Sequence, residues 1–286
     1  MTETWEGYVK NPRRILDAAL RRAGNLLHRY RLPKGPARYL SAYAAEEVPV
    51  PVDANGSERP SGPLYSVWQQ IPNGHKWWHY FPAYEGVLNP LRSRPIRMLE
   101  VGVYRGGSLE MWKRYLHPGS TIVGLDIDPN CTAFDRPSEG VHVRIGSQAD
   151  ADFLKRVVGE FGKFDVIIDD GSHLASHMIK TFDFLFLNGL VDRGTYIVED
   201  THTNFWPSYR DQNYSFVDLC KDLVDLTHAH YVKNRAILRF RTGDAGRISA
   251  TAVTRIASQI DELRFLDSMV VITRRENKFL PTVEHL

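Results

Sequence analysis

The chain has 286 residues, of which 43% are hydrophobic and 24% are charged, and its formal net charge is +2. This size and composition suffice for one large domain with a hydrophobic core, and the near-neutral charge gives no reason to expect nucleic-acid binding. The two cysteines, Cys131 and Cys220, favour a reducing compartment, and no segment has the length or pattern of a membrane span or a secretory leader. We therefore expect a cytoplasmic protein without stable membrane insertion.

Residues 1–62 are predicted to form an extension that precedes the main domain at 63–286. Within residues 10–38, apolar side chains recur at helical spacing among many basic residues, which predicts a basic amphipathic helix that ends near Pro33. We interpret this helix as a docking or homo-oligomerisation element. A membrane-surface helix is less favoured, because the apolar face lacks bulky aromatic anchors. Residues 46–63 are rich in Pro, Gly, Ser and acids and are predicted to form a linker.

From about Pro95 onwards, strand and helix patterns alternate. The predicted strands are 96–101, 121–126, 141–145, 164–168 and 194–198, and the predicted helices are 108–116, 150–161 and 174–187. This order predicts an α/β fold with a mostly parallel sheet and helices on both of its faces. Two further short strands flank Asp267 and Ser268, a plausible two-residue hairpin turn. The resulting antiparallel last strand favours the class I methyltransferase fold, which is Rossmann-like, over a nucleotide-binding dehydrogenase.

Two acidic clusters follow neighbouring strands of the predicted sheet. The first is Asp169-Asp170-Gly171-Ser172-His173, and the second is Glu199-Asp200-Thr201-His202. Ligands of open α/β sheets bind at the carboxyl ends of the strands, so these carboxylates and a histidine indicate a hard metal ion with a base beside it. Oxygen ligands favour Mg²⁺ or Mn²⁺ over softer metals.

The two aspartates of the first cluster are expected to divide their roles, because adjacent residues of a strand point in opposite directions. We assign Asp170 to the metal, whereas Asp169 caps the strand end or orients a cofactor. The strand that carries Asp170 should lie between the strand before the glycine loop and the strand that carries Glu199.

A glycine-rich turn at residues 100–108 connects the first predicted strand to its helix. Such a turn lets the backbone approach a ligand, but its spacing departs from the dinucleotide pattern, which favours S-adenosylmethionine. Asp126 ends the second strand, where a carboxylate can accept both ribose hydroxyls. Residues 146–150 would reach the adenine edge, although a plain helix start explains them equally well. The predicted cofactor contacts are Glu100, Gly102, Tyr104, Gly106, Ser108, Asp126, Ser147, Gln148 and Asp169.

These motifs, together with Lys76-Trp77-Trp78-His79-Tyr80, resemble the metal-dependent sugar O-methyltransferases over roughly residues 65–275. That family includes macrolide-sugar enzymes, and the cephalosporin-hydroxylase-like group and mycobacterial mannoside O-methyltransferases are similar. The resemblance implies S-adenosylmethionine held by the glycine loop and Asp126. It also implies Mg²⁺ held by Asp170, Glu199 and Asp200, and a catalytic base at His173.

The function expected from this resemblance is Mg²⁺-dependent methylation of a sugar hydroxyl in a glycoside or oligosaccharide, mannosides included. The alternative enzyme is a catechol-type O-methyltransferase, because a catechol also offers two adjacent oxygens to a metal ion. A non-catalytic cofactor-binding module is the third interpretation. His177 is the second candidate for the base. Trp206 is predicted to contact the acceptor, whereas Trp77 and Trp78 are assigned to the core.

Overall fold

The computed structural model describes residues 50, 56, 58–229 and 253–276. The basic helix predicted within residues 10–38 and most of the predicted linker lie outside the described residues, and the domain boundary after residue 62 stays a prediction. The described fold begins with two short helices, α1 (Pro63–Trp68) and α2 (Phe81–Leu88), which precede the sheet.

The centre of the fold is a seven-stranded sheet with the strand order β3-β2-β1-β4-β5-β7-β6. Its strands are β1 (Arg97–Val101), β2 (Thr121–Asp126), β3 (Val141–Ile145), β4 (Phe164–Asp169), β5 (Leu190–Val198), β6 (Ile260–Leu266) and β7 (Met269–Arg274). Strand β7 pairs antiparallel with β5 and with β6, whereas β1 to β5 pair in parallel. This arrangement confirms the predicted class I methyltransferase fold.

The predicted hairpin turn is also present between the last two strands. Leu266 pairs with Met269, and Ser268 takes a left-handed conformation with φ of 62°. The turn therefore has the predicted two-residue length, with the left-handed backbone at its second residue only.

The described residues form five further helices, namely α3 (Gly107–Tyr115), α4 (Ala151–Phe161), α5 (Ala175–Asn188), α6 (Phe216–Thr227) and α7 (Arg255–Gln259), of which α6 and α7 both lie between β5 and β6. They cover both faces of the sheet, because neighbouring strand residues alternate between two buried clusters. Met98 and Ile168 pack in the cluster that contains residues of α1, α2 and α3, whereas Leu99 and Ile167 pack in the cluster that contains residues of α4, α5 and α6. Within the described ranges, no helix combines the length and the apolar character needed to cross a membrane.

Hydrogen bonds past the strand ends bring the two acidic clusters together. The amide of Asp170 donates to the carbonyl of Val101 at 2.9 Å, and the amide of Glu199 donates to the carbonyl of Asp169 at 2.9 Å. Since β4 lies between β1 and β5, the first acidic cluster lies between the glycine loop and the second acidic cluster. The predicted strand order around the site is confirmed.

Candidate active site

A cavity of about 690 Å³ opens at the carboxyl ends of the parallel strands. The loops that follow β1 to β5 all contribute to its wall. Most of the residues predicted for the site line it: Gly102, Tyr104, Ser108, Asp126, Ser147, Gln148, Asp170, His173, Glu199 and Asp200. The sheet edge therefore gathers both the proposed cofactor residues and the proposed metal residues around one space.

Gly102 lies where the glycine loop meets the first acidic cluster. A Cβ atom on Gly102 would lie 2.1 Å from the carbonyl oxygen of Asp170, and the φ angle of Gly102 is +97°. Both features require glycine, since any side chain would push the loop away from β4. The close contact couples the position of the loop to the position of Asp170.

Asp126 anchors the turn of the same loop. Its Oδ2 accepts the amides of Val103 and Tyr104 at 2.8 and 3.0 Å, and its Oδ1 accepts the amide of Asp128 at 2.9 Å. Partial burial works against ionisation, but these backbone donors lower the pKa of Asp126 below its usual value. The carboxylate is thus ionised and faces the cavity, with lone pairs left for ligand hydroxyls.

Two residues predicted to contact the cofactor, Glu100 and Asp169, lie beneath the cavity and do not line it. Glu100 is fully buried and accepts the Ser108 hydroxyl at 2.7 Å and the indole N–H of Trp112 at 3.1 Å. Asp169 accepts Nε2 of Gln148 at 3.0 Å, and burial raises the pKa of Asp169 to about 7. In this structure Glu100 supports Ser108 and Asp169 supports Gln148, and a direct contact of either with a cofactor stays a prediction.

Gly106 and Gln148 also differ from a simple contact role. Gly106 does not line the cavity but takes a φ of 74° at the residue before α3, where a Cβ would collide with the ring of Phe134. Gln148 reaches the wall, yet its side-chain oxygen accepts the amide of Ser172 at 2.7 Å. Gln148 therefore holds the loop after β4 in place.

The predicted metal residues fall into two groups that share Asp170. The outer group is Asp170, His173 and Asp200, and the inner group is Glu100, Asp170 and Glu199; within each group, one ligand atom per residue lies within 4.8 Å of the others. Glu199 and Asp200 are adjacent in sequence but belong to different groups. The predicted set of Asp170, Glu199 and Asp200 is therefore not gathered around one point.

His173 lies at the open side of the outer group. Its Nε2 is 3.6 Å from Oδ2 of Asp200 and 3.9 Å from Oδ1 of Asp170. Its Nδ1 is buried and has no hydrogen-bond partner among the described residues, and its φ of 58° is left-handed. An imidazole held beside carboxylates in a cavity has the geometry that a general base or a metal ligand needs.

The inner group is filled by a residue that the sequence analysis did not assign to the site, Lys76. Its ammonium is 2.7 Å from Asp170 Oδ2, 2.8 Å from Glu199 Oε1 and 3.1 Å from Glu100 Oε1. Burial opposes the charge, but the three carboxylates outweigh it and raise the pKa of Lys76 well above its usual value. The side chain is only 2% exposed, so Lys76 is a buried cation.

The sequence analysis also missed three residues that hydrogen-bond to the outer group or support it, namely Tyr80, Thr203 and Ser268. The Tyr80 hydroxyl contacts Asp200 Oδ1 at 2.8 Å and Ser268 Oγ at 2.9 Å. The Thr203 hydroxyl donates to the carbonyl of Asp200 at 2.6 Å and contacts the carbonyl of His173 at 3.3 Å. These contacts hold Asp200 in its left-handed conformation, at φ of 52°.

Aromatic side chains form the far wall of the cavity. Trp77 and Trp206 are 49% and 47% exposed, and both rings contact the ring of His202. Tyr209 continues this wall at 6.1 Å from Trp206. The core assignment of Trp77 was therefore wrong, whereas Trp78 does pack against the core.

His177 and His202 take supporting positions. His177 Nδ1 is 2.8 Å from the hydroxyl of Ser172, and burial lowers the pKa of His177. His202 Nδ1 contacts Ser268 Oγ. Neither histidine belongs to a metal-sized group among the described residues, which leaves His173 as the histidine beside the carboxylates.

No family model matches the chain. It is 39% identical over 169 residues to an 8-demethyl-8-(2-methoxy-alpha-L-rhamnosyl)-tetracenomycin-C 3'-O-methyltransferase of Streptomyces olivaceus, a match that covers 54% of this chain and 42% of the relative. It is 35% identical over 205 residues to an L-olivosyl-oleandolide 3-O-methyltransferase of Streptomyces antibioticus, a match that covers 66% of this chain and 51% of the relative. The chain thus spans about half the length of the curated relatives it matches.

A solved structure of MycE methyltransferase from the mycinamycin biosynthetic pathway, in complex with Mg and SAH, matches with a TM-score of 0.63. The match has 25% sequence identity and covers 76% of this chain and 55% of the MycE chain. These relatives are sugar O-methyltransferases of natural-product pathways, which confirms the resemblance drawn from the motifs.

Proposed function

We propose that this protein, a relative of sugar O-methyltransferases, transfers a methyl group from S-adenosylmethionine to a sugar hydroxyl of a glycosylated natural product. One observation carries the proposal: the glycine loop and Asp126 share a single cavity with the outer group of Asp170, His173 and Asp200. A methyl donor and an activated hydroxyl must meet within about 3 Å, and this cavity offers a place for both. The names of the relatives support the acceptor class.

In this proposal the donor is bound by the loop after β1 and by the wall residues next to it. Gly102 lets the backbone approach the ligand, and Asp126 accepts hydroxyl groups of its ribose. Tyr104, Ser108 and Ser147 complete this side of the cavity. Glu100 and Asp169 act from below, through Ser108 and Gln148.

The two carboxylates of the outer group, Asp170 and Asp200, fit a hard divalent cation, with His173 left free to act as the base. Asp170 and Asp200 present carboxylate oxygens toward the cavity, and their side chains are each 21% exposed. Glu199 is the third candidate ligand, although both of its oxygens are within 3.0 Å of Lys76 Nζ. When bound here, Mg²⁺ would fix a sugar hydroxyl and lower its pKa.

His173 supplies the base. A hydroxyl held beside the outer group lies within reach of Nε2, which accepts its proton as the oxygen bonds to the methyl carbon and the carbon–sulfur bond breaks. Lys76 does not serve this purpose, because its three N–H donors are directed at three carboxylates.

The wall of Trp77, Trp206 and Tyr209 is suited to an acceptor that carries a sugar ring. Aromatic faces bind the apolar C–H faces of sugars and the ring systems of aglycones, and their polar edges remain available for hydrogen bonds. Exposure of both tryptophans at the cavity supports this role.

The test is methyl transfer from labelled S-adenosylmethionine to three acceptor sets: deoxysugar glycosides of polyketides, mannose oligosaccharides, and catechols. We expect product with a sugar set, loss of activity in excess chelator, and recovery when Mg²⁺ is restored. Activity on catechols alone would replace the sugar assignment by the catechol alternative. Cofactor binding without turnover on any acceptor set would favour the interpretation as a non-catalytic cofactor-binding module. Full activity in excess chelator would refute the metal dependence.

A further inference from the structure

The ammonium of Lys76 is saturated by the inner group. A lysine has three N–H donors, and here one oxygen of Glu100, one of Asp170 and both of Glu199 lie within 3.1 Å of Nζ. The ring of Tyr84 lies 5.9 Å from the same atom. Lys76 thus occupies the centre of the inner group and is closed off from solvent.

Asp170 divides its two oxygens between the groups. Oδ2 is 2.7 Å from Lys76 Nζ, whereas Oδ1 is turned toward Nε2 of His173 at 3.9 Å. Asp170 therefore belongs to both metal-sized groups. The inner group is filled by the ammonium of Lys76, and the outer group is bounded by His173 and Asp200.

The charges around Lys76 support the same interpretation of the inner group. Three carboxyl groups, from Glu100, Asp170 and Glu199, surround the ammonium, whereas Asp200 lies in the outer group. Burial raises the pKa of Glu199 and of Glu100, and the ammonium favours their charged forms, so its removal would leave the inner group to take up another cation or protons. The inner group is compact enough for one ion, because its ligand atoms lie within 4.8 Å of one another.

We propose that Lys76 is a positioning residue that takes the place of a second metal ion, so that the site binds one divalent cation, in the outer group. The internal ammonium holds Glu199 and Oδ2 of Asp170, and it thereby directs Oδ1 of Asp170 to the cation beside Asp200. This inference rests on the proposed metal-dependent function and adds how the number and place of the ions are set.

The experiment counts bound Mn²⁺, used as the probe ion, by equilibrium dialysis and by electron paramagnetic resonance. The full chain is expected to bind one Mn²⁺, and the Lys76→Met variant is expected to bind two, since methionine has a similar length but no charge. Adding Glu100→Gln to Lys76→Met should return the count to one, which would assign the second ion to the inner group. Lys113→Met, on α3, is the matched control and should bind one.

A count of one in Lys76→Met, with unchanged affinity, would overturn the inference while leaving the proposed function intact. If Lys76→Met is unfolded without metal, Mn²⁺ should restore its folding by replacing the ammonium, and no recovery would also overturn it. A wild-type protein that binds no Mn²⁺ and is active in chelator would overturn both the metal-dependent function and this inference.

Discussion

The hydroxyl of Tyr80 lies 2.8 Å from Oδ1 of Asp200, across 120 residues of chain. Burial, and then the negative charge of Asp200, raise the pKa of Tyr80. The hydroxyl therefore stays protonated and donates a hydrogen bond to the carboxylate. Groups that orient metal-binding carboxylates typically change affinity or activity by 10–100-fold when they are removed. We therefore predict that Tyr80→Phe weakens the apparent affinity for Mg²⁺ by about 10-fold, measured as the Mg²⁺ dependence of methyl transfer.

The control for this variant is Tyr115→Phe. Tyr115 is buried and its hydroxyl contacts Asn89, but it does not line the cavity. Its Mg²⁺ dependence should match that of the wild type. An equal loss in both variants would show that general destabilisation, and not the position of Asp200, is the cause.

His173→Ala should lower turnover by roughly 10²–10⁴-fold, the usual contribution of a general base. Cofactor affinity, measured by calorimetry, should stay near the wild-type value, because His173 lies on the side of the cavity that faces Asp200. His177→Ala is the comparison, since His177 also lines the cavity but hydrogen-bonds Ser172. Turnover that falls in His177→Ala and not in His173→Ala would transfer the role of base to His177.

Gly102→Ala should reduce both stability and cofactor binding. The added methyl group would lie 2.1 Å from the carbonyl oxygen of Asp170. The φ of +97° at residue 102 is also strained for alanine, which costs about 1–3 kcal/mol of stability from the backbone alone. Gly86→Ala in α2 is a matched control, because nothing lies within 4 Å of its Cβ position. Alanine in that helix should raise stability by about 0.5–1 kcal/mol. Thermal unfolding and calorimetric titration with S-adenosylhomocysteine check both, and a harmless Gly102→Ala would refute the close packing.

Acid should weaken the N-terminal cap of α6. Asp218 accepts the amide and the hydroxyl of Ser215, and these hydrogen bonds lower the pKa of Asp218 although partial burial works the other way. A carboxyl with a lowered pKa in the folded state stabilises the fold above its unfolded pKa, and this contribution is lost as pH falls. Its ion pairs with Arg210 and Lys221 are exposed to solvent and add little.

Asp218→Ala should accordingly destabilise the protein by about 1 kcal/mol at pH 7, the typical value of a helix cap. The difference from the wild type should shrink as pH falls below about 4. Urea unfolding at several pH values measures this difference in the free energy of unfolding, with Asp225→Ala on the same helix as the reference. A pH-independent difference would mean that the charge of Asp218 is not involved.

The sheet could be predicted from the sequence because its information is local. The β-branched runs that end at Ile168 and Val198 mark buried strands, and the Asp267-Ser268 pair marks the hairpin. Alternation along a strand also explained why Asp169 and Asp170 point to different sides. Glu199 and Asp200 lie beyond the end of β5, where the left-handed backbone of Asp200 accompanies their placement in different groups.

The supporting residues could not be predicted in this way, because their partners are distant in sequence. Lys76 reaches Glu199 across 123 residues, from a segment before the regular strand–helix pattern begins. The available signal was its place in the segment Lys76-Trp77-Trp78-His79-Tyr80, which contributed to the family resemblance. Trp77 shows the opposite error, since a large apolar residue was assigned to the core although its ring borders the cavity.

The contact between Tyr80 and Ser268 has a consequence for the order of folding. These residues are 188 positions apart, and Ser268 lies in the turn between the last two strands. Contacts between residues this far apart in sequence carry a loop-closure cost and slow folding, so we expect this one to form late. During synthesis, the first five strands can emerge and pair before Ser268 leaves the ribosome, but the carboxylate of Asp200 has no complete support until then. Ligand binding by this protein should therefore report on the final stage of its folding.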